Sequence, residues 1–393
     1  MTFHAGLDVR GRRVVCADGR ADALPALSAL LAAGALVDVV ATDVGTSVLD
    51  LAQRGLLRWS ARQLRPSDLA RAALVVCAEQ QEDVRTLAAA HDLAVSLIPS
   101  AAPVGAGQPG SGRVVLVGGG PGDPGLLTVA GQAAIGAADV IVVDRLAPLA
   151  ALRHARPSAE IVDVAKIPRG AYTPQEQIND LLVRHAGAGK LVVRLKGGDN
   201  FVFGRGGEEW QACAAAGIPV EIVPGVTSAV AAPALAGIPL THRTLTQGFT
   251  VVSGHVPPGD PASTLDWAAL ARTNTTLVVM MGVAALPQIC AALTSAGMPA
   301  DTPAATVASA GLPDQRVVRG TLETMPRLVE QAALRPPAIT VIGAVAAFRP
   351  GEPVSPEIPP SAEIPASAEI ASPGTDEPRR GDGSEGLGLD TLP

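Results

Sequence analysis

The sequence has few aromatic residues, few lysines and no paired cysteines. Of its 393 residues, five are Phe, three are Trp and one is Tyr, and only three of the 30 basic residues are Lys. The four cysteines, Cys16, Cys77, Cys213 and Cys290, lie far apart in the sequence. This spacing fits neither a zinc cluster nor a disulfide framework, so we expect reduced, buried thiols and no bound metal.

Long apolar runs are also absent. No stretch reaches the ~18 apolar residues that a membrane-spanning helix needs, because Pro, Gly, Thr or Gln interrupts the Ala-rich segments. Residues 1–13 have no apolar core after a positive region, unlike a secretory signal. These features predict a cytoplasmic protein without a membrane partner.

The folded part carries no excess of basic charge. The net charge is -7, and residues 350–393, with nine acidic and two basic residues, account for all of it. The first 349 residues hold 28 basic and 28 acidic residues. A neutral globular part lacks the basic surface that nucleic-acid binding requires, so we expect no nucleic-acid partner.

Composition separates a first domain, a linker and a tail. Residues 1–100 alternate short apolar runs with Ala/Leu-rich helical stretches, which is typical of βαβ units around a Rossmann-like parallel sheet. The Gly/Pro-rich residues 101–112 predict a linker. Residues 350–393 are rich in Pro, Ser, Glu and Gly and predict a disordered tail.

The remaining residues, 113–349, again alternate strand-like runs with helical stretches. This pattern predicts a doubly wound α/β architecture in two lobes, about 113–240 and 241–349.

Three strand-like runs of this second domain end in turns rich in Gly or Pro. The turns are Gly118-Gly119-Gly120-Pro121-Gly122, Gly197-Gly198-Asp199 and Pro224-Gly225. Glycine lets backbone amides approach a ligand where a Cβ would clash, although the first turn alone is equally compatible with a tight turn that binds nothing. Because ligands of open α/β sheets bind beyond the carboxyl ends of the strands, the three turns together predict one pocket.

Seven motifs follow one another between residues 113 and 348. They are Gly-Gly-Gly-Pro-Gly-Asp-Pro-Gly-Leu-Leu-Thr, Val-Val-Asp-Arg-Leu, Pro-Gln-Glu-Gln-Ile-Asn, Arg-Leu-Lys-Gly-Gly-Asp, Phe-Gly-Arg-Gly-Gly-Glu-Glu, Val-Pro-Gly-Val-Thr-Ser and Pro-Leu-Thr-His-Arg. In kind and order they resemble the tetrapyrrole methylases, most closely the uroporphyrinogen-III C-methyltransferases. The resemblance implies a two-lobed homodimer that binds S-adenosylmethionine between the lobes and methylates uroporphyrinogen III at two ring carbons to give precorrin-2.

The resemblance also implies which residues contact the cofactor. At the matching positions they are Pro121, Gly197, Gly198, Asp199, Val202, Thr227, Ser228, Met281 and Ala310. Two positions depart from the family, since Ala310 stands where it has Gly and Asn200 where it has Pro, a change expected to loosen the turn. Met281 offers polarizable surface to the cofactor, or is an ordinary core residue.

By the same resemblance, Asp144 is the proton acceptor and Lys166 the proton donor. The reaction places an electron-rich pyrrole carbon in line with a sulfonium methyl and then removes a proton. A structural alternative for Asp144 is pairing with Arg145 or with a helix terminus. Lys166 has separate support, because a chain that uses Arg almost throughout keeps Lys where a compact ammonium is needed.

The implied substrate carries many carboxylates, so we expect arginines in the cleft. The candidates are Arg145, Arg205 and Arg243, with Arg194 as a further one. His242 and His255 are nearby in the motifs and fit a structural role at least as well.

The first domain is placed like the N-terminal module of siroheme synthases, which uses NAD. Its first turn, Ala17-Asp18-Gly19-Arg20-Ala21-Asp22, keeps one glycine and puts two carboxylates where a pyrophosphate would bind. We therefore expect a degenerate module and no NAD binding. Three alternatives stay open: a bifunctional siroheme synthase with dehydrogenase and ferrochelatase activity, a methylase of a later cobalamin intermediate, and a non-catalytic protein that binds the cofactor or a tetrapyrrole.

Overall fold

The computed structural model describes residues 7–98, 112–164 and 173–349. Most of the linker predicted over 101–112, the tail predicted over 350–393, and Lys166 lie outside the described residues. The described chain forms three five-stranded sheets with helices packed against them.

The first sheet belongs to the N-terminal domain. Its strands are all parallel and lie in the order β3-β2-β1-β4-β5, the strand order of a Rossmann fold without its sixth strand. The elements are β1 (Arg13–Cys16), α1 (Leu24–Ala32), β2 (Leu36–Ala41), α2 (Thr46–Gln53), β3 (Arg58–Ala61), β4 (Leu74–Ala78), α3 (Glu82–Ala89) and β5 (Val95–Ile98). The predicted Rossmann-like architecture is confirmed.

The second sheet forms the first lobe of the following domain and is also entirely parallel. Its order is β10-β6-β9-β7-β8, so the strands that carry the three predicted turns, β6, β9 and β10, are direct neighbours. The elements are β6 (Arg113–Gly118), α4 (Val129–Ala137), β7 (Val140–Val143), β8 (Glu160–Asp163), α5 (Gln175–Gly187), β9 (Leu191–Lys196), α6 (Gly206–Ala215) and β10 (Val220–Val223).

The third sheet forms the second lobe and is mixed. β11 and β12 are parallel, whereas β12, β13, β14 and β15 pair antiparallel in the order β11-β12-β15-β13-β14. The elements are α7 (Ser228–Leu235), β11 (Phe249–Ser253), α8 (Trp267–Arg272), β12 (Thr276–Met280), α9 (Leu286–Ser295), β13 (Pro303–Ala308), β14 (Arg316–Thr321), α10 (Met325–Gln331) and β15 (Ala338–Ile342).

Helix α7 and the residues that follow it pack on this third sheet. Ala229, Ala232, Ile238 and Leu240 share a buried cluster with Val278 of β12. The core of the second lobe therefore takes in residues 228–240, which the sequence pattern had grouped with the first lobe.

The N-terminal domain and the first lobe share one apolar core. Leu24 and Leu27 of α1 are buried in the same cluster as Leu152, which lies in a 3-10 helix, Leu149–His154. Burial of large apolar side chains is the dominant favourable term in such packing, at roughly 25 cal/mol per Å². The N-terminal domain is thereby held against the face of the first lobe that carries β7 and β8.

All four cysteines are buried thiols, as predicted. Burial raises the pKa of the Cys213 and Cys290 thiols to about 11. Within the described ranges, no helix is long and apolar enough to cross a membrane, and no group of three or more His, Cys, Asp and Glu side chains is arranged to hold a metal ion.

Candidate active site

The three glycine turns meet at the carboxyl edge of the second sheet. The amide of Gly198 donates to the carbonyl of Gly120 at 2.6 Å, and the amide of Gly120 donates to the carbonyl of Gly198 at 3.1 Å. A Cβ on Gly225 would overlap the carbonyl of Gly198 and lie 2.5 Å from the carbonyl oxygen of Gly118. Only glycine permits this backbone contact. The three turns converge as predicted, and the pocket expected from them stays a prediction.

Asp199 joins the second turn to the third. Its Oδ1 accepts hydrogen bonds from the amides of Phe201 at 2.9 Å and Val202 at 3.3 Å, and its Oδ2 accepts from the amide of Gly225 at 3.2 Å. One carboxylate thus fixes both the turn after β9 and the turn after β10.

Asn200 does not loosen the turn, contrary to the expectation from the missing Pro. Its side chain is fully buried, and Nδ2 donates to the carbonyls of Leu116 at 3.1 Å and Val223 at 2.9 Å. The amide therefore ties β6 to β10 beneath the turns. Its Oδ1 is buried without a hydrogen-bond partner among the described residues.

Three further residues expected at the cofactor, Thr227, Ser228 and Val202, follow these turns in the sequence. Thr227 caps α7 by accepting a hydrogen bond from the amide of Ala229 at 3.3 Å. Ser228 Oγ lies 3.5 Å from the position of a Cβ on Gly198. Val202 follows the second turn with its side chain partly exposed.

The first turn also contacts the loop of the second lobe that holds Ala310. A Cβ on Gly311 would lie 3.4 Å from Cγ of Pro121, and one on Gly122 would lie 2.8 Å from Cδ2 of Leu312. The positive φ angles of this loop occur at Ser309 and Gly311, not at Ala310. Ala310 can therefore stand where the family has Gly without backbone strain.

Met281 lies in the second lobe, immediately after β12. Its φ is 56° and its side chain is 47% exposed, so it is not a core residue. A left-handed backbone is costly for a side chain of this size and is found most often at functional sites.

Asp144 follows β7 at the same sheet edge and is 25% exposed. Its Oδ1 accepts from the amides of Leu146 and Ala147, both at 3.0 Å, and its Oδ2 accepts from Nη2 of Arg194 at 3.2 Å. The proposed structural pairing with Arg145 is wrong, because the ionic partner of Asp144 is Arg194.

Arg194 and two other charged residues form a buried network below Asp144. Nε of Arg194 donates to Glu209 Oε1 at 2.9 Å, and Nζ of Lys196 donates to Glu209 Oε2 at 2.6 Å. All three side chains are at most 4% exposed. Arg194 was expected among the substrate-binding arginines, and this is wrong, since its guanidinium is buried against two carboxylates.

The pKa values reflect burial together with these ion pairs. Burial alone would raise the pKa of Glu209, but the charges of Arg194 and Lys196 outweigh it and lower the pKa. Burial and the charge of Arg194 lower the pKa of Lys196. For Arg194, burial opposes the charged form, but Glu209 and Asp144 outweigh it and raise the pKa.

Glu209 was not singled out from the sequence. The available signal was its position in the motif Phe-Gly-Arg-Gly-Gly-Glu-Glu. This motif opens α6, the helix that follows β9, and the last residues of β9 include Arg194 and Lys196. Nothing in the sequence distinguishes it from the exposed Glu208.

The three expected substrate arginines have different surroundings. Arg145 is 15% exposed, and its Nη1 lies 3.2 Å from Oδ1 of Asp50 in the N-terminal domain. Arg205 is half exposed at the start of α6, where its Nε donates to Glu208 Oε1 at 2.9 Å. Arg243 is exposed in the loop after α7.

Replacing Glu209 with Gln would leave the buried Lys196 with a neutral partner and would leave Arg194 paired with Asp144. We expect the free energy of unfolding to fall by about 3–5 kcal/mol, the usual cost of breaking a buried ion pair. Urea unfolding at pH 7 measures this change. Because the pKa of Glu209 is lowered in the folded state, its contribution is complete above its ordinary value of 4.5 and is lost as pH falls through the folded pKa. The stability of the variant should therefore fall less than that of the wild type on acidification.

Glu208→Gln is the matched control. It removes an exposed pair with Arg205 from the same helix and should cost less than about 1 kcal/mol. Equal effects of the two substitutions would contradict the assignment of Glu209 to a buried network.

Two family models match the chain. Residues 113–326 match the tetrapyrrole (corrin/porphyrin) methylases, and residues 5–95 match a putative NAD(P)-binding family. The first match covers more than half of the chain.

Individual relatives align with the same region. A siroheme synthase of Methylobacillus flagellatus is 46% identical over 245 residues, which is 62% of this chain and 52% of that protein. The chain thus spans about half the length of the curated siroheme synthases that it matches. An S-adenosyl-L-methionine-dependent uroporphyrinogen III methyltransferase of Methanosarcina barkeri is 47% identical over 60% of this chain and 92% of the relative.

Solved structures align with it as well. The uroporphyrin-III C-methyltransferase of Thermus thermophilus, complexed with S-adenosyl homocysteine, is 42% identical over 60% of this chain and 98% of that chain, with a TM-score of 0.51. A cobalt precorrin-4 methyltransferase is 28% identical over 60% of this chain and 96% of that chain, with a TM-score of 0.54. With its glycine turns, its two lobes and these matches, the chain belongs to the tetrapyrrole methylases.

Proposed function

We propose that this chain is an S-adenosylmethionine-dependent uroporphyrinogen-III C-methyltransferase that forms precorrin-2. The observation that carries the proposal is the contact among Gly120, Gly198 and Gly225 beside Asp144, at one edge of one sheet. Relatives with similarity across nearly their whole length bear this activity in their names. The methyl donor and the methyl acceptor must bind next to each other. The same sheet edge carries the glycine turns, which we propose bind the donor, and the carboxylate of Asp144, which we propose acts on the acceptor.

The residues around the turns fit S-adenosylmethionine. Glycine backbones pack directly on one another at the carboxyl edge of a parallel sheet, the edge beyond which ligands of such sheets bind. Ser228 supplies a hydroxyl beside Gly198, and Thr227 precedes it at the N-cap of α7. Met281 supplies exposed, polarizable surface. When bound, the cofactor would supply a sulfonium methyl group to the pyrrole carbon.

Asp144 and Lys166 are the residues that we propose move protons. Arg194 and the amides of Leu146 and Ala147 hold the carboxylate of Asp144 in one orientation, which is what a general base requires. Arg205 and Arg243 are exposed and can meet substrate carboxylates.

The test is to incubate the protein with uroporphyrinogen III and methyl-labelled S-adenosylmethionine and to count the methyl groups on the product. We expect two methyl groups per macrocycle. Methylation of a cobalamin intermediate in place of uroporphyrinogen III would contradict the substrate assignment. Cofactor binding without any methyl transfer to a tetrapyrrole would favour a non-catalytic binding protein.

Lys166→Met should lower turnover by about 10²- to 10⁴-fold, the usual contribution of a positioned proton donor, while cofactor affinity stays the same. Lys190→Met is the control. Lys190 pairs with Glu160 at 2.9 Å, at the amino ends of β8 and β9 and thus at the edge of the sheet opposite to the glycine turns. Single-turnover kinetics and calorimetry separate the two quantities. A fully active Lys166→Met enzyme would remove Lys166 from the mechanism.

A second candidate, the bifunctional siroheme synthase, is favoured by the match of residues 5–95 to an NAD(P)-binding family. In the N-terminal domain, the turn that follows β1 does not fit a dinucleotide. A Cβ on Gly19 would lie within 3 Å of Val44, and Asp18 accepts from the amide of Arg20 at 2.9 Å and pairs with its guanidinium at 2.7 Å. The turn is thus closed on itself by a carboxylate where a pyrophosphate needs free amides.

The cavity beside this turn, about 580 Å³, is also lined by three carboxylates and one arginine. Their net negative charge disfavours an anionic ligand. Titration with NAD should therefore give no saturable binding, and micromolar affinity would support the bifunctional enzyme.

We further propose that the protein acts as a homodimer. Phe201, Phe203 and Trp210 form an exposed aromatic group near the second turn, and the rings of Phe201 and Trp210 lie 6.2 Å apart. Exposed apolar groups of this kind mark protein interfaces. Light scattering measures the mass in solution, and a monomer at micromolar concentration would contradict this proposal.

A further inference from the structure

One face of α2, in the N-terminal domain, is directed at the methylase domain. Ser47, Asp50 and Arg54 are spaced three and four residues apart, so they lie on the same side of the helix. Each of the three contacts a residue beyond position 112. The helix therefore forms a row of polar contacts with the domain that holds the glycine turns.

The N-terminus of α2 binds a carboxylate of the first lobe. Asp163, the last residue of β8, accepts from the amide of Ser47 at 2.7 Å and from its Oγ at 2.9 Å. Gly45 leaves room for this approach, since a Cβ there would lie 3.3 Å from Asp163 Oδ2. A helix N-terminus stabilises an anion through its free amides and its dipole. Here the anion is part of the protein itself.

Asp50 forms an ion pair with Arg145, the residue that follows Asp144. It is 6% exposed, and its Oδ1 lies 3.2 Å from Nη1 of Arg145. Its Oδ2 lies 3.6 Å from Nη1 of Arg54. A buried carboxylate between two guanidinium groups is costly to break, so it fixes the chain immediately after Asp144.

Arg54 extends the row to the second lobe. Its Nη2 lies 3.8 Å from Asp314 Oδ2, and the same carboxylate oxygen accepts from Oγ of Ser309 at 3.0 Å. Ser309 precedes Ala310 in the loop that packs against the first glycine turn. A single helix thus contacts the ends of β7 and β8 in one lobe and the loop after β13 in the other.

We propose that α2 of the N-terminal domain positions the two lobes of the methyl-transfer site, with Ser47, Asp50 and Arg54 as positioning residues. The inference rests on the proposed function. It assigns a role to the N-terminal domain, in which the turn after β1 does not fit a dinucleotide. In this role the domain sets the distance between Asp144 and the loop around Ala310. Val48 and Leu51 of α2 lie in the same apolar core as Leu24, Leu27 and Leu152, and this packing keeps the helix in place.

The experiment compares Arg54→Gln and Asp50→Asn with the wild-type full chain. Gln53→Ala is the control, because Gln53 is exposed on the same helix and outside the contact row. Hydrogen exchange followed by mass spectrometry reports on residues 144–152 and 309–315, and steady-state kinetics with uroporphyrinogen III gives kcat and KM. Arg54→Lys, which keeps the positive charge, tests rescue.

We expect amides of 309–315 to exchange about tenfold faster in Arg54→Gln and those of 144–152 about tenfold faster in Asp50→Asn, because local opening becomes easier. We expect kcat to fall about tenfold in both variants with little change in KM, and to recover in Arg54→Lys. Gln53→Ala should match the wild type in both measurements.

Exchange and kcat equal to those of Gln53→Ala would overturn the proposal. Faster exchange with unchanged kcat would also overturn it, because the contacts would then be structural only. If Asp50→Asn unfolds, Arg54→Gln still decides, since Arg54 lies at the end of the helix and is partly exposed. If the wild type methylates no uroporphyrinogen III, the proposed function fails, whereas the exchange data still show whether α2 holds the two segments.

Discussion

The candidate site depends on a close contact between backbones. Gly118, Gly198 and Gly225 come from three separate turns. A Cβ on Gly118 or Gly225 would overlap the backbone of a neighbouring turn, and Gly198 has a positive φ of 68°. The contact requires three adjacent parallel strands, which the order β10-β6-β9 provides. Asp199 and Asn200 then hold the turns and the strands together by hydrogen bonds.

The charges around this contact are organised in layers. Glu209 pairs with both Arg194 and Lys196 in the interior, and Arg194 in turn orients Asp144 at the edge. Outside that layer, Asp50 from the N-terminal domain pairs with Arg145. Buried charges tolerate few geometries, because each must keep its partners. The ion pair with the N-terminal domain thus lies at the residue that follows Asp144 in the sequence.

The sequence was informative where one residue type permits one geometry, and less informative elsewhere. Glycines after strands predicted the turns, and the rule for parallel sheets predicted their convergence. The strand β13 carries a weak signal in the sequence, because Ala and Pro favour strands weakly. The sequence could not distinguish the buried Arg194 from a surface arginine. The contact of Ser47 with Asp163, 116 residues apart, comes from tertiary packing and has no local signal.

The most direct test of the account is to bind S-adenosylhomocysteine to Gly225→Ala and to Gly207→Ala and to measure both affinities by calorimetry. A Cβ on Gly225 would overlap the backbone of two other turns, whereas one on Gly207 meets nothing within 4 Å. The account predicts that Gly225→Ala binds at least about tenfold more weakly, a loss of ~1.4 kcal/mol or more, while Gly207→Ala binds like the wild type. Wild-type affinity in a folded Gly225→Ala protein would contradict the claim that the packed turns form the cofactor site.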